Sequence, residues 1–306
     1  MDLVKKDTVN IVDEFLSNFP KSATRTAYKR DISDFFGYYN ARFGDPGILT
    51  INHFIAYRDQ LLADGKAPAT VGRKLSSLKS LMHWCVTRGF LQSNPVAHLK
   101  FPKVTTKYPT LAFTDDEVRR IFEAIDRTDL HGVVHTFILK ILFNLGLRRS
   151  EIVNLKVSDI YEDRNFTVVK IIGKGDKERL LPLSPDMVLA YKEYLTAYEE
   201  VTGNKLENTD WLIQSNPWVK NANPMNSTTV FKIVRNYARK AGITKRVGAH
   251  SCRATVISHL LEKNISPRDV ADFAGHTNIH TTISIYDKKR DFLENSAAMK
   301  VDYGSK

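Results

Sequence analysis

Apolar residues recur every three to four positions through most of this chain, the spacing of helices that bury one face. Residues 7–18 place Val9, Val12, Phe15 and Leu16 on such a stripe, and Pro20 ends it. Ser22 is positioned to cap a second helix running to about residue 42, with Ile32, Phe35, Phe36 and Tyr39 inward. Residues 44–47, two glycines around Pro46, break that pattern, and a third amphipathic helix over 52–64 stops at Gly65. A fourth, over 69–87, carries Val71, Leu75, Leu78, Leu81 and Trp84 on one side. Arg73, Lys74 and Lys79 lie on its other side among Ser76, Ser77 and Ser80. That polar face suits phosphate contacts along a nucleic acid, and a plain solvated face is the competing reading. Asn94-Pro95 and a short last helix close what reads as an all-helical bundle over residues 1–103.

The pattern then changes twice. Residues 101–110 hold two prolines and no helical period, so an extended linker is placed at 104–112. Thr114 with Glu117 matches a capping box and opens a helix to about residue 125. Residues 133–145 are strongly apolar, which predicts a buried helix; Gly146 ends it, and 148–155 form a short helix after it. Residues 166–172 and 179–183 read as strands joined by GKGDKE, a hairpin with Lys174 near its tip. Helical spacing returns over 185–201, with Leu189, Tyr191 and Leu195 among its apolar positions. A short strand is expected at 211–213, and Asn226 or Ser227 caps a helix to about 241. Helical segments fill 250–286, and one more helix is expected beyond Tyr286. The fold class is therefore mainly α with a small β-sheet or hairpin. It divides into an N-terminal helical domain (1–103) and a C-terminal mixed α/β domain (113–306).

Composition narrows the partner. The net charge is +11, and residues 1–104 hold 15 Lys/Arg against 9 Asp/Glu, so both halves share the excess. A polyanion is implied, with nucleic acid ahead of membrane because no basic amphipathic anchor stands out. No apolar run approaches the ~20 residues that span a bilayer. The first residues lack the apolar core of a secretory signal, and Cys85 and Cys252 form no disulfide framework or metal-ligand spacing. The expectation is a cytoplasmic protein with reduced thiols.

One set of polar residues stands apart from solubility. His250 and Arg253 sit three apart on a helical segment, Gly275-His276 follows a short helix, and Tyr286 comes ten residues later. Arg148 follows Gly146-Leu147, with Glu151 three residues on, and Lys174 lies between Gly173 and Gly175. A phosphodiester repels nucleophiles by its charge, which a protein offsets with a metal or with fixed cations. The acids Asp115, Asp116, Asp159, Asp176 and Asp287 are scattered, whereas arginine offers a planar fork for two non-bridging oxygens. Tyr286, with an ordinary pKa near ~10, is the candidate nucleophile, activated by surrounding positive charge. Lys177 and His280 are the nearby residues that could be mistaken for Lys174 and His276.

These residues resemble the tyrosine recombinase (phage integrase) family, its Xer-like members in size and layout. The matching pieces are GLRRSEIVNL, GKGDKER, HSCR, AGH and TTISIY, with SATRTAYKRDISDFFGYY and NPVAHLK upstream. Each is weak alone; together, in the family's order, they are specific and cover nearly the whole chain. Cys252 and Ala254 depart from residues frequent in the family and leave the reacting groups untouched. The resemblance implies a SAM-like core-binding domain followed by a catalytic domain, acting without metal or other cofactor. It implies that Arg148 and Arg253 hold the scissile phosphate, Lys174 protonates the 5′-oxygen, and His250 assists proton transfer. His276 would hydrogen-bond the phosphate, Glu151 would support the site, and Tyr286 would form a 3′-phosphotyrosyl link. It further implies a homotetramer on two double-stranded DNA sites, exchanging strands through a Holliday junction. A related recombinase or a DNA-bending accessory protein are further partners it allows. In the cell the enzyme would be cytoplasmic, at the nucleoid. The segment 287–306, anchored by Phe292, Leu293 and Met299, would pack on a neighbouring protomer. A type IB topoisomerase-like nicking-closing enzyme and a non-catalytic DNA-binding accessory protein are the alternatives.

Overall fold

In the computed structural model, residues 5–19, 23–44, 49–103, 111–173 and 175–287 are described, with only the backbone at 5–9, 23, 286 and 287. The chain forms two compact units, residues 1–107 and 108–306.

The first unit consists of α1 (Lys5–Ser17), α2 (Ala23–Phe43), α3 (Ile51–Ala63) and α4 (Pro68–Thr87). Proline at the first position of α4 fits its start, because the missing N–H has no helical acceptor there. α4 packs on each of the other three helices. Val71, Leu75, Leu78 and Leu81 meet Phe15, Ile32, Phe35 and Phe54 in one core, with Phe35 stacked on Phe54 at 4.7 Å. Deleting one such side chain costs about 2–5 kcal/mol.

The polar side of α4 departs from expectation. Lys74 and Ser77 are buried, and Asp31 of α2 is fully enclosed. Ser77 Oγ donates to Asp31 at 2.9 Å, Arg73 pairs with Asp31, and Lys74 pairs with Asp34. The Lys74 ammonium is therefore committed within the bundle rather than displayed along an outer face. A long side chain so close to two carboxylates loses less by burial than an unpaired one. The short helix expected after Pro95 is a turn instead, held where Asn94 Oδ1 accepts from the Val96 N–H at 2.9 Å.

The second unit opens with α5 (Asp115–Glu123), and the capping box is present. Thr114 N–H donates to Glu117 Oε2 at 2.7 Å, and Glu117 N–H to Thr114 Oγ1 at 3.2 Å. α6 (Leu130–Leu145) is buried nearly all round and ends at Gly146, whose φ of +58° reverses the chain. α7 (Arg149–Val153) follows. An antiparallel sheet comes next: β1 (Ile160–Asp163), β2 (Phe166–Ile172) and β3 (Glu178–Pro182), in that order. The register pairs Val169 with Leu181 and Ile171 with Arg179. β1 extends the expected hairpin to three strands, through a tight turn at Arg164-Asn165 where both φ angles are positive. Residues 211–213 do not form a strand; the chain pairs only through isolated bridges, Lys156 with Trp211 and Gln214 with Pro224.

α8 (Pro185–Thr202), α9 (Ser227–Lys240, capped by Asn226), α10 (Ala249–Glu262), α11 (Pro267–Ala274) and α12 (Ile279–Asp287) complete the unit. α10 touches α6, α9, α11 and α12. Its residues from Ser251 to Ser258 are all buried, so it is the axis on which the unit is assembled. The anchors expected at Phe292, Leu293 and Met299 lie outside the described residues, as does the core of the expected linker. Among the described residues no helix is long and apolar enough to cross a membrane.

Candidate active site

The site grows from places where helices end. A helix leaves its last carbonyls without internal partners and carries partial negative charge there. α6 ends at Gly146 and α11 at Gly275, and Arg253 reaches both ends. Its Nη1 donates to the Gly146 carbonyl at 2.7 Å, and its Nη2 donates to the Ala274 carbonyl. The side chain stands on α10 and is only 1% exposed. Burial, and then the nearby Arg148, lower its pKa to about 10, so it is still charged at neutral pH.

Arg148 sits where Leu147, fully buried, leads the chain from α6 into α7. Its backbone N–H donates to Glu151 Oε2 at 2.8 Å and its Nη1 to Glu151 Oε1 at 2.7 Å. Its Nη2 donates to the Gly275 carbonyl at 2.9 Å. Glu151 thus caps α7 and orients the guanidinium at once. Burial alone would raise the Glu151 pKa, but hydrogen bonds from Arg179 and Arg148 hold it below the usual carboxylate range.

Arg179 of β3 is the member the sequence did not single out. Its Nη2 and Nη1 straddle Glu151 at 2.9 and 3.2 Å, and its Nε donates to the Phe273 carbonyl at 3.1 Å. The signal was the last letter of GKGDKER. Nothing local marks that residue as turning inward, because its carboxylate partner lies on another element.

His276 follows Gly275, whose φ of +63° ends α11, and its N–H donates to the Ala271 carbonyl at 2.8 Å. Its Nδ1 lies 2.8 Å from Thr282 Oγ1. Burial, then Arg253, Arg148, His250 and Arg179, lower its pKa to about 4, so the ring is neutral at pH 7. In the tautomer where the Thr282 hydroxyl donates to Nδ1, the ring proton sits on Nε2 and can reach a bound anion. Thr282 is fully buried and one turn before Tyr286, so it also ties α12 to this turn. His250 is exposed at the start of α10, one turn before Arg253.

Arg148, Arg253, His250 and His276 therefore share one electrostatic neighbourhood, with Glu151 and Arg179 beneath. Lys174 lies outside the described residues; around it Gly173 N–H donates to the Lys177 carbonyl at 2.8 Å, and Gly175 and Asp176 take positive φ, closing a hairpin loop. The Tyr286 backbone is on α12, and its side chain lies outside the described residues. Arg73, Lys74 and Lys79 belong to the first unit, where Lys79 Nζ donates to the Ala97 carbonyl at 3.2 Å. Cys252 is buried, which pushes its thiol pKa up and keeps it unreactive.

Three arginines face one carboxylate and a row of backbone carbonyls. Carbonyl dipoles orient a guanidinium without cancelling its charge, so the cluster retains a net positive charge suited to a phosphodiester.

The comparisons with known proteins agree. Residues 112–291 match the model of the phage integrase family, and residues 15–89 match the phage integrase N-terminal SAM-like domain. The tyrosine recombinase XerD of Listeria innocua is 28% identical over 280 residues, covering 89% of this chain and 92% of that one. XerC of Staphylococcus epidermidis is 30% identical over 213 residues, 70% of this chain and 69% of that one. In fold, the chain is similar to a lambda integrase dimer bound to a COC′ core site (TM-score 0.67, 18% identical). That match covers 92% of this chain and 77% of that one. It is likewise similar to XerH in a post-cleavage complex with palindromic difH substrate (TM-score 0.67, 20% identical), over 90% of this chain and 79% of that one. On these grounds the chain belongs to the phage integrase family and is an Xer-like site-specific tyrosine recombinase, an enzyme that breaks and rejoins DNA.

Proposed function

We propose that Tyr286 attacks the scissile phosphate of a duplex recombination site and forms a 3′-phosphotyrosyl link. The new bond joins the tyrosine oxygen to phosphorus as the bond to the 5′-oxygen breaks. The phenol proton passes to His250, and Lys174 protonates the departing 5′-oxygen. Arg148 and Arg253 hold the non-bridging oxygens, and neutral His276 donates from Nε2 to one of them. Glu151 orients Arg148 and does not react. Attack by a 5′-hydroxyl on the phosphotyrosine reverses the chemistry, so the link conserves the energy of the broken bond. The observation that carries this reading is the convergence of Arg148, Arg253 and His276 on the ends of α6 and α11.

Exchange then takes four protomers on two DNA sites, passing through a Holliday junction, with the segment 287–306 packed on a neighbouring protomer. A related recombinase or a DNA-bending protein joins where the two sites differ. The place of action is the nucleoid.

A nicked suicide substrate tests the chemistry. Wild-type protein should leave a covalent adduct on a denaturing gel, and Tyr286→Phe should leave none while still binding DNA. An undiminished adduct in Tyr286→Phe sinks the assignment. Joining of two sites, rather than simple relaxation of supercoils, separates recombination from nicking-closing.

A further inference from the structure

Arg179 stands at the mouth of the loop that carries Lys174. It pairs across the hairpin with Ile171, and the next pair is Ile172 with Glu178, after which Gly173 and Lys177 close the loop. Its side chain is only 12% exposed, and Glu151 only 4%. Three elements meet on its guanidinium. The fork grips both Glu151 oxygens on α7, while Nε reaches the Phe273 carbonyl at the end of α11. Gly275 lies close beside it: an added Cβ there would come within 2.9 Å of Nη1 and 3.2 Å of Cζ. The turn leading into His276 is therefore built around this guanidinium.

Neutralising Glu151 does not need this arrangement, because Arg148 already bonds both of its oxygens. The Arg179 fork on the same carboxylate adds geometry more than charge balance. That geometry joins the hairpin to the phosphate clamp and to the His276 turn. We infer that Arg179 is a positioning residue that fixes the Lys174 loop on the Glu151–Arg148 pair, so that the leaving-group acid and the phosphate clamp are set as one unit. This rests on the proposal that Lys174 protonates the 5′-oxygen. Arg179 itself touches no reacting atom.

The test exploits the leaving group. A suicide substrate with sulfur in place of the bridging 5′-oxygen departs as a thiolate and needs no protonation. Arg179→Lys keeps a cation and an alkyl stem but loses the fork. Its cleavage of the oxygen substrate should fall by about 10²–10³-fold, within the range set by general acid catalysis. Its cleavage of the sulfur substrate should stay within about tenfold of wild type, and DNA affinity should hardly change. Equal losses on the two substrates, or no loss on either, overturn the inference. Arg179→Gln, checked by thermal melting, repeats the measurement without the cation; if neither variant folds, the residue is a folding determinant and the inference falls. Lys174→Ala run in parallel separates the two ideas. Sulfur rescue of Lys174→Ala but not of Arg179→Lys overturns the positioning role alone. Absence of rescue in Lys174→Ala overturns the general-acid reading and the inference with it.

Discussion

Each of the two units builds a charged cluster around a buried carboxylate, Asp31 in one and Glu151 in the other, and the clusters follow different principles. In the helical unit, Arg30, Arg73 and Lys74 meet the carboxylates of Asp31 and Asp34. In the catalytic unit, among the described residues, Arg148 and Arg179 pair with Glu151, and backbone carbonyls of Gly146, Phe273, Ala274 and Gly275 hold Arg253 and fill the remaining directions. The first arrangement cancels charge and fastens α2 to α4. The second orients charge without cancelling it. A cation held by dipoles keeps its charge for an anionic ligand, whereas one matched to a carboxylate has largely spent it.

The sharpest way to break this contrast is to remove a fork while keeping its charge. Arg253→Lys leaves a cation that cannot serve two carbonyls and a phosphate together. Cleavage of the suicide substrate should fall by about 10²–10³-fold, as for loss of one charge-stabilising donor. Single-turnover rates at saturating DNA measure it, and an unchanged rate would show that orientation is unimportant. The mirror change in the first unit should act on stability instead. Asp31→Asn removes the fully buried carboxylate from Arg73 and Lys74, with Asp34 left to offset part of the loss. Urea denaturation should report a loss of about 2–3 kcal/mol. The cleavage rate of folded, DNA-saturated protein should be unaltered; a large drop in that rate would erase the distinction between the clusters.

The remaining test concerns pH. Folding lowers the His276 pKa from its ordinary 6.5 to about 4, so between those values the unfolded chain binds a proton that the folded chain refuses. The contribution is fully present above pH 6.5 and is lost as pH falls through about 4. His276→Asn should flatten the fall in stability across this window, as followed by melting temperature. An identical slope in the variant would mean that His276 is not held neutral by its surroundings.

Much of the fold is written in local signals. The capping pair Thr114–Glu117, the proline that opens α8 and the glycine that ends α6 are all punctuation within one turn of the element concerned. β1 escapes because Ile160–Asp163 is four residues of mixed polarity, too short to show a period. Lys74 misleads because its helical position predicts a polar face, while the acids that draw it inward come from α2, some forty residues earlier. The site divides in the same way. Motif order marks Arg148, His250, Arg253 and His276 as a set, and the fold brings them together. Their holding partners are largely carbonyl oxygens, which any residue type can supply, so the sequence has no letter for them. Arg179 and Thr282 stay hidden for a related reason, since each matters through a residue on another element or turn.

The double grip of Arg253 bears on safety. An enzyme that opens DNA is dangerous when damaged, because a half-folded copy could cut without rejoining. Here the clamp exists only while the ends of α6 and α11 converge on one guanidinium. Any loosening that separates those two helices breaks the hold on Arg253 at the same moment. If Arg253 holds the scissile phosphate as proposed, a copy loosened there loses cleavage together with its fold.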